Sequence, residues 1–475
     1  LLCLALTACA TPQQQQAPAA VKAVTPAAAP YSSTYKAQQA PTTLIRGATI
    51  LTGAGARIDA GDVLIVNGRL EAIGRDLAAP AAAVVIDAQG RWVTPGLIDV
   101  HSHLGVYPSP AINAHTDGNE MTDPVTPNVW AEHAVWPQDP GFQTALEGGV
   151  TTLQILPGSG NLIGGRGVTL KNVAATTYQA MKFPGAPQGL KMACGENPKR
   201  VYGGQGHAPM TRMGNVAGYR QAFADAQDYR EQWQKYERER AQYEKKDKDK
   251  KGKDSEDKPP VPPKRDLKFE TLVAAMAGEI QVHIHCYRSD EMAIMLDLAQ
   301  EFGFKIAAFH HAVEAYKIAD LLAQRGVCGA EWADWWGSKM ELFDGVQENL
   351  ALTDHPPGGC AIVHSDSEEG IQRLNQEAAK AMTRGTRAGL DIPPERAIRW
   401  VTANAARALG IAERTGTLEA GKMADVVIWN GDPFSVYALA EQVFIDGVLV
   451  FDRAHPAPQP RSDFLLGQPG AEVQP

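Results

Sequence analysis

Pro95-Gly96-Leu97-Ile98-Asp99-Val100-His101-Ser102-His103 is the stretch that decides the fold. It reads as a short buried strand, Trp92 to Val100, running into two histidines one residue apart. Side chains at i and i+2 of a strand share a face. Both imidazoles therefore point at one spot beyond the strand's end. A divalent metal takes neutral nitrogen ligands about 2.0–2.1 Å away, held by rigid backbone. A lone His-x-His is also an ordinary polar pair on a solvated edge, so the remaining sequence has to supply more ligands.

It does so at the ends of other apolar runs. From Trp92 onward, apolar strands alternate with helical patterns, the signature of parallel βα units. Candidate strands are Gly149–Leu156, Gly189–Cys194, Ile280–Cys286, Lys305–Phe309, Val327–Trp332 and Cys360–His364. Helical patterns at Glu291–Phe302 and Ala315–Arg325 lie between them. The expected fold is α/β, a closed (β/α)₈ TIM barrel whose ligands sit at strand C-termini. The run Ile280–Cys286 ends at His285, with His283 on the same face; Lys305–Phe309 ends at His310-His311; Cys360–His364 runs into Ser365-Asp366.

Outward from the barrel, 42–94 alternates short β runs with turns such as Asn67-Gly68. The segment 413–455 adds two more, around Val426–Trp429 and Val443–Val450, with no helix following. These rejoin as one small β-sandwich built from both chain ends, leaving 95–412 to the barrel and 456–475 as a tail. Within the barrel, 219–266 is a charged helical insertion. Its Tyr229, Trp233, Tyr236 and Tyr243 recur at helical spacing and are expected to pack. Pro108 to Pro140 is a long loop of the kind that serves as a lid. Trp332, Trp335 and Trp336, after the Val327–Ala330 strand, either line a pocket or pack in the core, the core being favoured. Gly158–Gly167 is glycine-rich but lacks the Lys-Ser/Thr of a phosphate loop, and reads as a tight turn with Arg166 facing substrate.

The chain has 475 residues, 44% of them apolar, and a net charge of −9. That suits a large soluble domain with an accessory one and gives no basic footprint for nucleic acid. The apolar start Leu1–Ala8, closing in Leu6-Thr7-Ala8-Cys9, is similar to a bacterial lipobox. It predicts a signal peptide over 1–9 whose first residues precede Leu1, with Cys9 lipidated. Residues 10–41, rich in Ala, Pro and Gln, then read as a tether. The protein would be a periplasmic lipoprotein on the outer membrane of a Gram-negative bacterium, touching membrane only through that anchor. Cys194, Cys286, Cys328 and Cys360 lie in apolar runs and read as small core residues, not as a disulfide framework.

Taken together, these motifs resemble the amidohydrolase superfamily, most closely its imidazolonepropionase- and prolidase-like group. The resemblance spans about Thr42 to Asp452. It is carried by the opening stretch, His285-Cys286-Tyr287-Arg288-Ser289-Asp290, His311-Ala312-Val313-Glu314-Ala315-Tyr316, His364-Ser365-Asp366 and Val401–Gly410 with Gly416–Ile428. It implies metal ligands at His101, His103, His285, His311 and Asp366, holding one or two Zn²⁺. A bridging anion would come from a carbamylated Lys191 or from the carboxylate of Glu196; the sequence does not choose, though Lys191 stands at the family's position.

The implied reaction is hydrolysis of a C–N bond by a water that zinc acidifies from pKa 15.7 to about 7. Asp366 would pass the water's proton to the leaving amine, His285 would polarise the carbonyl, and His311 would serve as ligand or oxyanion partner. Deaminases of the superfamily carry Glu where this chain has Arg288. That favours a small amide, dipeptide or cyclic amide, with Arg288 either binding a substrate carboxylate or held in a structural ion pair. The alternatives are a deaminase or an ester or lactone hydrolase on the same core, or a catalytically dead binding module; an oligomer is compatible with each.

Overall fold

The computed structural model describes residues 31–109, 111–249, 258–335 and 337–456. The expectations for the signal peptide, Cys9, most of the tether, Trp336 and the tail from 457 lie outside them. Five strands come first: β1 (Thr43–Leu51), β2 (Arg57–Val66), β3 (Arg69–Gly74), β4 (Val84–Asp87) and β5 (Trp92–Pro95). Asn67 and Gly68, at φ 51° and 75°, close the β2–β3 hairpin in the left-handed region such a two-residue turn needs.

The expected strand Trp92–Val100 is in fact two strands of two different sheets. β5 pairs with β1, whereas β6 (Leu97–Ser102) pairs with β7 (Val150–Ile155) in the barrel. Gly96 is the pivot. A Cβ there would lie 2.1 Å from the Thr151 hydroxyl oxygen, so only glycine lets the chain pass from one sheet to the other.

The barrel continues through β8 (Ile163–Lys171), β9 (Gly189–Ala193), β10 (Gln281–His285), β11 (Ile306–His310), β12 (Cys328–Glu331) and β13 (Ala361–Val363). The eight strands β6 to β13 neighbour one another in chain order. The backbone N–H of Asp366 donates to the His101 carbonyl at 3.0 Å, joining the last strand's end to the first. One strand departs from the all-parallel expectation: β8 runs antiparallel to both β7 and β9. The glycine-rich stretch expected as a turn thus supplies a turn and then the start of this strand.

The accessory β domain is connected by hydrogen bonds throughout. Its order is β16-β15-β14-β5-β1-β2-β3, with β4 also paired to β1; here β14 is Val426–Trp429, β15 Ala440–Ile445 and β16 Val448–Asp452. The sheet curls around its own core of Ile45, Ile50, Val63, Val93, Ile428 and Phe444. Both chain ends build it, as β5 lies between β1 and β14. Residues 31–41 lie against this body: Tyr35 donates to Asp446 Oδ2 at 2.6 Å and Ser33 to the Lys182 carbonyl at 2.6 Å.

The insertion is a 38-residue helix, Arg212–Asp249. Between Arg212 and Trp233 it buries Tyr219, Phe223, Tyr229 and Trp233 in a core shared with neighbouring strands and the helices that follow.

The cysteine expectation is corrected. Cys194 is disulfide-bonded to Cys286, and Cys328 to Cys360. In each pair the cysteines stand side by side at the ends of neighbouring parallel strands, Cys194 and Cys286 just past β9 and β10, Cys328 opening β12 and Cys360 just before β13, with Cα atoms 5.2 and 4.6 Å apart. Separations of 92 and 32 residues hide that adjacency from the sequence.

Candidate metal centre

The strand ends converge as their pattern predicts. His103 Nε2 lies 3.0 Å from Asp366 Oδ1, and His101 Nε2 lies 3.5 Å from the same oxygen and 3.3 Å from His103 Nε2. His311 Nε2 stands 3.8 Å from the other carboxylate oxygen. His285 packs against the His311 ring at 4.7 Å. Two of these residues adopt left-handed backbone, unusual without glycine: His311 at φ 58° and Asp366 at φ 49°. Such a residue costs about 1–3 kcal/mol and persists where surroundings over-determine it. The twist at His311 turns it into the site beside its neighbour His310, although consecutive strand residues ordinarily face opposite sides.

Burial fixes the protonation states. His101, His285 and His311 are held well below the ordinary imidazole range, first by burial and then by the nearby Lys191 or histidine charges. Neutral imidazole is the ligating form. Burial pushes Asp366 up, but the His103 hydrogen bond and the surrounding His103, His364 and Lys191 charges more than offset it, leaving the carboxyl below its usual value. Lys191 is lowered to about 7 by burial. Its Nζ sits 3.3 Å from His101 Nε2 and 3.1 Å from the Pro157 carbonyl. A neutral amine is the form that adds carbon dioxide to become a carbamate.

Between the two candidate bridges, Lys191 thus stands among the histidines. Glu196 opens the helix Glu196–Gly203 and faces Lys339, with Oε1 3.7 Å from Nζ. Arg288 is not gathered into the site. Its guanidinium is exposed and held by both oxygens of Asp290, at 2.9 and 2.8 Å. Arg166 is buried in β8, donating to Thr271 Oγ1 at 2.9 Å and Gln188 Oε1 at 2.8 Å beneath the Trp130 ring.

Further residues join the site, among them His364 and Lys339, to which sequence reasoning gave no role. His364 is buried, its Nε2 2.7 Å from His311 Nδ1 and its Nδ1 donating to the Glu331 carbonyl at 3.0 Å. With His101 and His311 it forms a second group able to hold an ion. It stands two residues before Asp366 in a motif already noted, which was the available signal. Trp332 stacks on His311 at 4.4 Å and on His364 at 5.0 Å, so it walls the site. Lys339 reaches in from the loop after β12, 3.0 Å from Asn197 Oδ1 and 3.2 Å from the Tyr287 hydroxyl. Asn197 and Tyr287 both touch His285.

The donor set fits a divalent metal. Imidazole nitrogens and one carboxylate are zinc ligands by type. Three of them, on His101, His103 and Asp366, face one point. The Nδ1 of His285 is buried with no partner among the described residues. His103 Nδ1 donates to the Leu156 carbonyl at 2.9 Å, the outer hydrogen bond that fixes a ligating histidine's tautomer and frees Nε2.

Known proteins resemble this chain in sequence and fold. An amidohydrolase family model matches residues 352–452. An amidohydrolase crystal structure from Thermotoga maritima is 34% identical, with a TM-score of 0.73 over 86% of this chain and 100% of that one. "Amidohydrolase tasK" of Hapsidospora irregularis is 34% identical over 86% of this chain, which spans 43% of that relative's length. An imidazolonepropionase of Mesorhizobium japonicum is 24% identical over 78% of this chain and 85% of its own. The chain belongs to the amidohydrolase family.

Proposed function

We propose that this protein is a metal-dependent hydrolase of a C–N bond in a small amide, dipeptide-like or cyclic amide substrate, with zinc as the metal. The observation that carries this is the clustering at the strand ends: His101, His103 and Asp366 face one point, His311 Nε2 lies 3.8 Å from the Asp366 carboxylate and Lys191 Nζ 3.3 Å from His101 Nε2. His101, His103, His285, His311 and Asp366 would hold the metal, with Lys191 as the bridging position. When bound, the metal supplies Lewis acidity that brings the pKa of a water to about 7.

The protein's own residues do the rest. Asp366 keeps its carboxylate ionised, so it can accept a proton from that water and deliver it to the leaving amine. Trp332 covers His311 and His364 and keeps bulk water from them. Lys339, beside Asn197 and Tyr287 near His285, is the cation placed to receive a substrate carboxylate. It takes the role that the sequence suggested for Arg288, whose guanidinium Asp290 occupies.

The test is a screen of N-acyl amino acids, dipeptides, cyclic amides, aminopurines and lactones on the zinc-loaded protein, repeated with Lys339→Met. Hydrolysis of acidic substrates, with KM raised about tenfold or more in the variant, is the expected result. Turnover confined to aminopurines or lactones would favour the deaminase or ester-hydrolase alternative. We also propose a periplasmic, lipid-anchored location. The two disulfides support an oxidising compartment.

A further inference from the structure

His101 does not rest its second nitrogen on a carboxylate or a carbonyl. Its Nδ1 lies 2.9 Å from His310 Nδ1, and His310 Nε2 lies 2.9 Å from His283 Nδ1. All three rings are fully buried inside the barrel. Each of these contacts joins two imidazole nitrogens, so one must donate and the other accept. A row of neutral imidazoles linked in this way has two self-consistent orders, with every proton pointing one way or every proton pointing the other.

The two orders differ at the metal. If His283 donates to His310 and His310 to His101, then Nε2 of His101 carries a proton and cannot ligate. If His101 donates from Nδ1 to His310 Nδ1, and His310 donates from Nε2 to His283 Nδ1, then Nε2 of His101 presents its lone pair. In that order the last proton sits on His283 Nε2. That atom is buried and unpartnered among the described residues, as is Gln154 Oε1. Both side chains border the space left by Gly189, where a Cβ would lie 2.8 Å from Gln154 Nε2 and 3.3 Å from His283 Cδ2. Polar groups at the far end of the row are thus available to the final N–H.

We propose that His310 and His283 are positioning residues for the metal: together they form a histidine row whose one metal-competent proton order fixes the tautomer of His101. The inference rests on the assignment of His101 as a metal ligand. No group gains or loses charge; only the nitrogen that carries each proton changes. Outer hydrogen bonds of this kind are worth roughly 10–100-fold in metal affinity when removed.

The test uses the full chain loaded with zinc and labelled with ¹⁵N in its histidines. The expected spectrum has His310 protonated at Nε2 and bare at Nδ1, and His283 bare at Nδ1. A zinc-loaded protein with His310 protonated at Nδ1 overturns the proposal. Zinc affinity, read by competition with a chromophoric chelator, gives the second arm. His310→Phe removes the acceptor and should weaken binding roughly 10–100-fold. His310→Asn puts a carbonyl oxygen where Nδ1 stood and should restore affinity to within about threefold of wild type. Equal affinity in wild type and His310→Phe overturns the row while leaving the metal site intact. Wild-type protein that binds no more zinc than His101→Ala overturns the metal assignment itself. The wild-type spectrum decides the matter even where His310→Phe does not fold.

Discussion

His101 and Asp366 are joined twice: the Asp366 backbone N–H donates to the His101 carbonyl at 3.0 Å, and its carboxylate lies 3.5 Å from the His101 ring. The last barrel strand therefore delivers its acid to the first strand's histidines through the backbone, and a side-chain change should leave that placement intact. Asp366→Asn is expected to lower kcat by about 10²–10⁴-fold, the usual range for a general acid–base group. Its circular dichroism and melting temperature should stay close to wild type. Retention of more than about a tenth of kcat would remove Asp366 from the proton-transfer role.

Lys191 lies within 3.3 Å of His101 Nε2, and burial has lowered its amine to about 7. If it carries a carbamate, Lys191→Ala should lose one metal and most activity, and added short-chain carboxylic acids should recover part of it. Wild-type activity should rise with bicarbonate after dialysis under carbon-dioxide-free buffer. Metal content by plasma mass spectrometry and rates with and without bicarbonate check this. Unchanged metal content in the variant would leave the bridge elsewhere.

The six buried histidines 101, 283, 285, 310, 311 and 364 are all lowered by burial, His283 to about 3 and His364 to about 4. Unfolded, each would titrate near pH 6.5. Between their folded values and pH 6.5 the unfolded chain binds more protons, so stability rises with pH there. The metal-free protein should keep its full stability above about pH 6.5 and lose it steeply as pH falls toward 4. Urea unfolding across that range measures the slope; a flat profile would contradict the burial of these rings.

Lys171 is wholly buried, with Nζ 2.8 Å from Asp446 Oδ2 and 3.3 Å from Asp425 Oδ1. It reaches from β8 into the accessory sheet and ties the two domains. Lys171→Met would strand two buried carboxylates, at a cost of about 3–5 kcal/mol. Thermal unfolding should show the loss, while Arg57→Met, at an exposed pair with Asp59, should change little.

The Cys328–Cys360 bridge closes a separation of 32 residues and is worth about 4 kcal/mol in the chain-entropy account. Reduction, or Cys328→Ser with Cys360→Ser, should lower the urea midpoint correspondingly. A midpoint unchanged by reductant would mean that the bridge does not form in solution.

Much of this was legible in the sequence, and the pattern of what was not is physical. Strand period and apolar flanks mark His101, His103, His283 and His285 as strand-end histidines, whereas choosing His311 over His310 rests on the family resemblance, because the left-handed backbone at His311 and Asp366 is not a strand-period feature. His310 and His283 look redundant in sequence, since nothing local says that two imidazoles from different strands will meet. Trp332 meets the histidines, and Lys339 meets Asn197 and Tyr287 beside them, only through the barrel's closure, and the disulfides form through strand adjacency. The antiparallel β8 was hidden because a glycine-rich run reads as a turn. Of the two readings of Arg288, substrate carboxylate or structural ion pair, the structure shows the ion pair, with Asp290 two residues on.

Metal binding at the convergent strand ends is the claim from which the rest follows, and its most direct test is zinc stoichiometry. Full-length protein stripped with chelator, reloaded and desalted should retain about one or two zinc ions per chain, as expected for this ligand set. The double variant His101→Ala, His103→Ala should retain none and lose turnover. Wild-type protein that holds no more zinc than the double variant would contradict the account.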